Sequence, residues 1–268
     1  MTEWLEACRG AVEDVRGVLS ELPEGPDRER VIGLGVGGDD TTAIDDAAER
    51  AVVARLDATG ADFTLVSEEL GIRAPRDETA ANVVVVDPID GSINAKRGIP
   101  FFSLSIAVAD GPAMGDVFFG YVYDFGSGEE WTARRGEGAS LDGRRLPAVR
   151  PRERIDLLSL EATRTELVVE HGPSLAALAH RVRVMGSLAL SLCHLAAGRF
   201  DPVCSLKPAR SVDIAAAQLL VAELGLVAGL PDDGPLAAAP LDLEGRSRIV
   251  AAATQEHYEQ VVRALRRL

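Results

Sequence analysis

Long apolar stretches are missing from this chain of 268 residues. No run of 18 or more apolar residues occurs, and the N-terminal segment lacks the positive charge and apolar region of a secretory signal. Neither a membrane-spanning helix nor an export signal is therefore expected, and the simplest location is the cytoplasm.

Cysteine is also scarce. Cys8, Cys193 and Cys204 are an odd number of cysteines without C-x-x-C spacing, which argues against a disulfide framework and against a zinc site. We expect all three to be buried as small hydrophobic side chains.

Lysine is almost absent. Of the 28 lysine and arginine residues, only Lys96 and Lys207 are lysines. The 42 acidic residues give a formal net charge of -14, and no basic run is longer than a pair. An acidic surface repels phosphate backbones and anionic lipids, so neither a nucleic acid nor a membrane surface is expected as a partner. The surplus acid favours a halophilic protein, since salt screens the self-repulsion of such a surface. A GC-rich genome, which favours Arg and Ala, is the alternative explanation.

Apolar residues make up 47% of the chain, enough for one large or two small globular domains. Their spacing at three and four residues predicts helices at 2–22, 42–56, 187–197, 212–224 and 254–265. Short apolar runs between turn-forming residues predict strands at 63–66, 83–86, 101–108, 117–123, around 131, and at 155–160, 182–185, 200–206 and 249–252. The basic, proline-containing stretch 144–154 divides the chain into halves 1–150 and 151–268, the second of α/β type.

Carboxylates follow one of the predicted strands. The buried-type strand 83–86 ends in Asp87, Pro88, Ile89 and Asp90, so two carboxylates and a carbonyl oxygen can converge on one hard cation. Gly91 and Ser92 then begin a helical turn, whose free backbone N–H groups favour an anion at the same point. An ordinary turn is the competing interpretation, since these residue types are common turn formers.

Two further acidic positions support a metal site. Glu68 and Glu69 follow the strand at 63–66, and Asp213 begins the apolar helix at 212–224. An acid at a helix start also stabilises the helix dipole, which is the simpler interpretation of Asp213 taken alone.

A glycine-rich segment, Gly33 to Gly38, matches the G-x-G-x-x-G pattern of dinucleotide-binding proteins. Its context does not fit, because the preceding apolar run is short and Asp39 and Asp40 would face the pyrophosphate. A mobile loop over the metal site is the better interpretation, and a plain connector is the alternative.

The chain resembles the inositol monophosphatase family, including its archaeal branch, which shares its fold with fructose-1,6-bisphosphatases. The resemblance is carried by the segments SEE (67–69), DPIDGSIN (87–94), GIPFF (98–102) and SVDIA (211–215), in that order. It implies a layered α/β/α/β/α sandwich, with two helices on a largely antiparallel sheet in the first half and a mixed sheet in the second. It also implies a homodimer and a Mg2+-dependent phosphomonoesterase that uses two Mg2+ ions, or three.

The resemblance also implies roles for individual residues. The metal ligands would be Glu68, Asp87, Asp90, Asp213 and the carbonyl of Ile89, with Asp87 bridging two ions. Asp39 would touch the third, weaker ion, or is simply a solvated loop acid.

The catalytic residues implied are Asp45 and the Ser92 hydroxyl, which would activate the attacking water, together with Glu68. No covalent phosphoenzyme is required, and no residue is expected to be an activated nucleophile. None of the histidines is expected to lie in a cluster, which applies to His171, His180, His194 and His257. The backbone of Gly91 and Ser92 would hold the phosphate.

Gly186 and Ser187 match a segment near the substrate hydroxyls, although Ser187 as an ordinary helix N-cap is the competing interpretation. Lys207 and Arg210, with Lys96 and Arg97, suit a second phosphate on the substrate. Solvated surface cations are the alternative.

The sequence does not fix the substrate, but two departures from the family pattern bear on it. Inositol-preferring members carry an acid and a tryptophan where this chain has Leu206 and Val212, so strict inositol preference is not expected. We expect sugar phosphates, fructose 1,6-bisphosphate or inositol 1-phosphate. The alternatives are a nucleotide 3'-phosphatase acting on adenosine 3',5'-bisphosphate and a non-catalytic relative that binds phosphorylated ligands.

Overall fold

The computed structural model of the protein describes residues 2–22, 25–34, 40–77, 82–161, 164–245 and 247–266. Its helices are α1 (Thr2–Glu21), α2 (Pro26–Glu29), α3 (Ala43–Asp57), α4 (Ser92–Lys96), α5 (Thr165–Ala176), α6 (Leu188–Ala196), α7 (Ser211–Glu223) and α8 (Gln255–Leu265). Its strands are β1 (Val31–Leu34), β2 (Asp40–Thr42), β3 (Thr64–Ser67), β4 (Gly71–Arg73), β5 (Val83–Asp90), β6 (Ser103–Ala109), β7 (Val117–Asp124), β8 (Glu130–Arg134), β9 (Gly138–Leu141), β10 (Arg144–Arg145), β11 (Leu157–Glu161), β12 (Arg181–Arg183), β13 (Pro202–Ser205), β14 (Val227–Gly229) and β15 (Val250–Ala252).

Two large sheets organise the molecule. The first has eight strands in the order β10-β9-β8-β7-β6-β5-β3-β4, antiparallel except for the β3–β5 pair. The second has five strands in the order β12-β11-β13-β15-β14 and is mixed, since β11 runs parallel to both of its neighbours. These are the sheet types that the family resemblance implies.

The helices lie on the sheets in layers. Helices α1 and α3 cover one face of the eight-stranded sheet, and α6 and α7 lie between its other face and the five-stranded sheet. Helices α5 and α8 cover the outer face of the five-stranded sheet. The α/β/α/β/α order confirms the expected fold class.

Close packing in the middle layer depends on one glycine. At Gly120 in β7, a Cβ atom would lie only 2.5 Å from the carbonyl oxygen of Ala216 in α7. A side chain there would push the helix away from the sheet, and with it the residues at the start of α7.

The long predicted helices and the central strands are confirmed, and Cys8, Cys193 and Cys204 are buried as expected. The structure adds a short hairpin, β1–β2, between the first two long helices, and helix α5 was not predicted. Sequence periodicity missed α5 because Val168, Val169, Gly172 and Pro173 are weak helix formers. Among the described residues, no helix has the length and apolar character needed to cross a membrane.

Candidate active site

A cavity of about 790 Å³ opens at the ends of strands from both sheets. Its walls come from both halves of the chain: Asp45, Glu68, Glu69, Asp87, Pro88, Ile89, Asp90, Gly91, Ser92, Ile93, Asn94, Lys96, Glu161, Arg164, Gly186, Leu188, Ser205, Lys207, Ala209, Arg210 and Asp213. Most residues singled out from the sequence therefore meet in one place. Asp39 and most of the glycine-rich segment, residues 35–39, lie outside the described residues.

Strand β5 carries two of the carboxylates. Sequence analysis ended this strand at residue 86, but it continues through Asp90. Side chains three residues apart point to opposite faces of a regular strand. Here the pairing with β6 shifts between Asp87, opposite Ser105, and Asp90, opposite Ser103, so one extra residue is accommodated. This irregularity lets both carboxylates line the same cavity.

Three carboxylates are fixed by helix N-termini. Asp45 and Asp213, each at the third position of its helix, accept hydrogen bonds from the backbone N–H groups of Thr42 (3.2 Å) and Arg210 (2.8 Å). Asp90 accepts a hydrogen bond of 2.8 Å from the N–H of Ala189 in the first turn of α6. In each case the Oδ2 atom is held by backbone donors that would otherwise be unsatisfied.

The remaining acidic residues are held by side chains of neighbouring elements. The hydroxyl of Ser67 donates to the buried carboxylate of Glu49 in α3, which also accepts the N–H of Glu69 at 3.3 Å. The hydroxyl of Thr41 donates to Glu69. Sequence reasoning missed Glu49, although its spacing of four residues from Asp45 places both on one face of α3.

The electrostatics of the cavity are dominated by negative charge. Burial, reinforced by repulsion from neighbouring carboxylates, raises the pKa of Asp87 well above its ordinary value and raises that of Glu68. Burial likewise raises the pKa of Asp90 to about 7, and that of Glu69 to about 7. The basic groups of the described residues therefore do not neutralise the negative charge of these acids.

One guanidinium partly offsets this charge. Arg210 Nη2 lies 2.5 Å from Glu68 Oε1 and 3.2 Å from Asp213 Oδ1, and its side chain is mostly buried. Arg210 was expected to be a substrate contact or a solvated cation. It lines the cavity as a counter-ion between two predicted metal ligands.

The donor set fits a hard divalent cation. Glu68, Asp87, Asp90 and Asp213 offer oxygen atoms, as Mg2+ prefers, and the raised pKa values of Glu68, Asp87 and Asp90 reflect the negative charge that such a cation would neutralise. Ile89 lies between the two aspartates, and its N–H donates to Asp87 Oδ1 at 3.0 Å. Its buried side chain packs in the core, so its backbone is the part that lines the cavity.

A different set of potential ligands lies closer together than these carboxylates. Within the described part of the chain, Asp124, Glu129 and His194 have ligand atoms within 4.8 Å of one another. The expectation that no histidine joins such a cluster is thus wrong for His194, because the fold brings together residues far apart in sequence. Arg199 occupies this cluster, with both its terminal nitrogens bonded to Glu129 (2.7 and 2.5 Å) and one lying 3.0 Å from His194 Nδ1. The cluster is an ion-paired structural contact.

Of the two interpretations of Ser187, the structure supports the helix N-cap. Its side chain is 1% exposed, and its hydroxyl donates to Asp90 Oδ2 at 2.5 Å while accepting the N–H of Leu190 at 3.2 Å. It is an N-cap that orients a carboxylate, and it does not line the cavity. Gly186 does line it and adopts a positive φ of 92°. The strand-end acid Glu161, missed in the sequence, accepts the Gly186 N–H at 2.8 Å.

The turn at Gly91 and Ser92, predicted to hold phosphate, and several basic residues complete the site. Gly91 has a φ of 92°, and a Cβ there would lie 3.0 Å from the Gly186 carbonyl oxygen. Lys96 contacts Asp45, whereas Arg97 is exposed and lies 3.5 Å from Glu29. Lys207 lines the cavity together with Arg164, which sequence reasoning missed because nothing in its local sequence distinguishes it.

Comparison with known proteins gives a consistent result. The model of the inositol monophosphatase family matches residues 5–268. The chain belongs to this family. A fructose-1,6-bisphosphatase/inositol-1-monophosphatase of Methanothermobacter thermautotrophicus is 33% identical over 272 residues, covering 98% of this chain and 96% of the relative. A protein of the same name from Archaeoglobus fulgidus is 33% identical over 259 residues, covering 94% of each.

Solved structures support the same assignment of the fold. A Pyrococcus horikoshii protein, described as hypothetical with similarities to inositol-1 monophosphatase, superposes with a TM-score of 0.82 at 26% identity, covering 97% of each chain. Membership of the inositol monophosphatase family assigns the chain to the phosphoric monoester hydrolases.

Proposed function

We propose that this protein hydrolyses phosphate monoesters of sugars, fructose 1,6-bisphosphate or inositol 1-phosphate, with Mg2+ as cofactor. The observation that carries the proposal is the meeting of Glu68, Asp87, Asp90 and Asp213 with the Asp45–Ser92 pair in one cavity. The names of the two archaeal relatives support the same substrates.

The four acidic side chains and the Ile89 carbonyl would hold two Mg2+ ions. When bound, Mg2+ neutralises phosphate charge and makes water a stronger nucleophile at neutral pH. The number of ions stays a prediction, and so does a third one near Asp39.

The chain's own groups would then direct the reaction. The backbone N–H groups at Gly91 and Ser92 bind phosphate oxygens, and the Asp45 carboxylate with the Ser92 hydroxyl orients a water for in-line attack on phosphorus. Asp45 accepts hydrogen bonds from both the N–H and the hydroxyl of Thr42, at 3.2 and 2.6 Å, so its position is well defined.

Two cations favour a substrate with a second anionic group. Strands β11 and β13 are parallel neighbours in which Glu161 lies opposite Ser205. Arg164 and Lys207 follow the carboxyl ends of these two strands, so both lie at one edge of the sheet and line the cavity. A guanidinium and an ammonium group there suit a second phosphate, as in a sugar bisphosphate.

Leu206 supports a relaxed preference for inositol. Its side chain is 4% exposed and packs with the apolar cluster between the five-stranded sheet and the outer helices. It therefore offers no contact to a sugar hydroxyl where inositol-preferring members are expected to carry an acid.

The test is release of inorganic phosphate by the purified protein with and without Mg2+, from fructose 1,6-bisphosphate, inositol 1-phosphate and adenosine 3',5'-bisphosphate. We expect Mg2+-dependent release from the two sugar phosphates. Preference for the nucleotide would establish the nucleotide phosphatase instead. A folded, Mg2+-loaded protein without activity on all three would indicate a binding role.

Matched variants identify the site. Asp90→Asn should lower kcat about a thousandfold, since several kcal/mol of charge stabilisation are lost. The control is Asp110→Asn, at a half-exposed aspartate outside the cavity that is paired with Arg135, and it should leave kcat unchanged. Near-normal turnover by Asp90→Asn would overturn the metal assignment.

A further inference from the structure

We propose that Lys96 is a positioning residue of the active site, which holds the Asp45 carboxylate in the orientation needed to direct the attacking water. This inference rests on the proposed function, because the role of Asp45 comes from it. Lys96 was expected only as one of several cations suited to a second phosphate.

The contact itself is direct and largely buried. Lys96 Nζ lies 2.9 Å from Asp45 Oδ2, and the two side chains are 13% and 8% exposed. A lysine side chain is normally solvated and loses rotational freedom when it is fixed. Burial of the ammonium group against this one carboxylate therefore indicates a specific pairing and not a surface cation.

The position of Lys96 in its helix explains the direction of the side chain. Helix α4 has five residues, from Ser92 to Lys96, and so makes about one and a half turns. Residues four apart lie on the same helix face, so Lys96 shares a face with Ser92, the proposed partner of Asp45. One face of α4 thus presents both a hydroxyl and an ammonium group toward the cavity that Asp45 lines.

The bonding of Asp45 identifies the oxygen that remains for water. Its Oδ2 atom accepts from the Thr42 N–H and hydroxyl and from Lys96. Three donors occupy this oxygen. Oδ1 is then the oxygen that orients the water, and loss of Lys96 leaves only the two Thr42 donors to hold the carboxylate against rotation about its terminal bond.

Lys207 provides a matched control, because it is the other lysine of the chain and lines the same cavity without contacting Asp45. Lys96→Met should lower kcat about tenfold with little change in KM, as expected when a catalytic group loses its orientation. Lys207→Met should instead raise KM for a sugar bisphosphate with little change in kcat. Lys96→Arg, which keeps the charge, should recover part of the loss.

A double-mutant cycle tests whether Lys96 acts through Asp45. In an Asp45→Asn background, Lys96→Met should change kcat less than twofold. An equal tenfold loss in both backgrounds would overturn the inference, as would an active wild-type enzyme in which Lys96→Met keeps kcat within twofold. Wild-type protein without phosphatase activity would overturn the proposed function and this role together.

A second readout does not depend on turnover. Protein grown with [ε-13C]lysine carries the label at only two positions, which Lys207→Met distinguishes. In the folded protein with Mg2+, Asp45→Asn should shift the NMR signal of Lys96 and leave that of Lys207 in place. An unchanged Lys96 signal would overturn the inference, including the case in which Lys96→Met fails to fold.

Discussion

Individual carboxylates at this site serve two purposes. Asp45, Asp90 and Asp213 each use one oxygen to satisfy a helix N-terminus and also line the cavity. For Asp213, the sequence left a choice between a helix-start acid and a metal ligand. The structure shows that these interpretations are compatible, since a cap occupies only one of the two oxygens.

Which side chains meet was only partly predictable. The carboxylates of the signature segments could be located because each follows a strand or begins a helix. The Lys96–Asp45 and Arg210–Glu68 pairs could not, because their partners are 51 and 142 residues apart and no local pattern joins them. The contact of Ser187 with Asp90 could not be predicted for the same reason, since the two residues are 97 apart.

Arg210 should compete with divalent cations. Its guanidinium occupies oxygens of Glu68 and Asp213 that Mg2+ would need. Arg210→Met should therefore strengthen Mg2+ binding to the substrate-free protein several-fold, as measured by calorimetry, while weakening the binding of the anionic substrate. Weaker Mg2+ binding by the variant would contradict this role.

The raised pKa values of two cavity acids predict an unusual dependence of stability on pH. The pKa values of Asp90 and Glu69 are about 7 in the folded protein, against ordinary values of 3.8 and 4.5. Stability from these groups is thus complete below about pH 4 and is lost as pH rises toward about 7. The melting temperature of metal-free protein should fall between about pH 4 and pH 7.

Two controls accompany this measurement. Mg2+ should reduce the fall, because bound cations neutralise the ionised acids. Asp87→Asn should reduce it as well, since the variant removes a buried carboxyl whose own pKa lies well above its ordinary value. A metal-free melting temperature that rises over this pH range would show that other groups control the pH dependence.

At the level of elements, Arg28 joins two helix ends. This buried arginine donates to the carbonyls of Leu19 (2.7 Å) and Leu22 (2.7 Å) at the end of α1, and to that of Ala95 (2.6 Å) in α4. Terminal helix carbonyls lack partners within the helix, and a cation there also interacts favourably with the helix dipole. Arg28 thereby connects the first helix to the turn that carries Ser92 and Lys96.

Replacing this arginine should destabilise the protein. Arg28→Met should lower the free energy of unfolding by about 3 kcal/mol in urea denaturation, since three charge-assisted hydrogen bonds are lost. Arg30→Met, at an exposed position two residues away, serves as the control and should have little effect. A loss below about 0.5 kcal/mol for Arg28→Met would show that water replaces the guanidinium without cost.

Elements differed in how well the sequence predicted them. Helices α1, α7 and α8 followed from apolar spacing, and β5 to β7 from apolar runs between turns. The irregularity in β5 could not be located from the sequence, because it arises from the pairing with β6. Helix α5 forms despite weak propensity since Leu175 and His171 are buried against neighbouring elements.

For the whole molecule, composition predicts a response to salt. With a net charge of -14, like charges repel across the surface at low ionic strength, whereas the screening length falls from ~10 Å at 0.1 M to ~3 Å at 1 M salt. The melting temperature should therefore rise as KCl increases over this range. A melting temperature independent of KCl would favour genome composition as the origin of the acidic surplus.

The layered architecture followed from the family resemblance, whereas composition and periodicity alone predicted an α/β second half. The division near residue 150 and the homodimer stay predictions. The first needs separate expression of the halves, and the second a mass measurement in solution.

Burial of α7 on both sides limits how the cavity can open. Residues 211–221 are all buried, and their apolar side chains belong to one cluster with side chains of both sheets. Swinging the halves apart would strip this helix of its contacts and expose apolar surface along three turns. We therefore expect the two sheets to stay fixed relative to each other, so that substrate entry and product exit depend on the loops at the rim of the cavity. Variants that alter turnover by changing access should accordingly map to those loops and not to a hinge between the sheets.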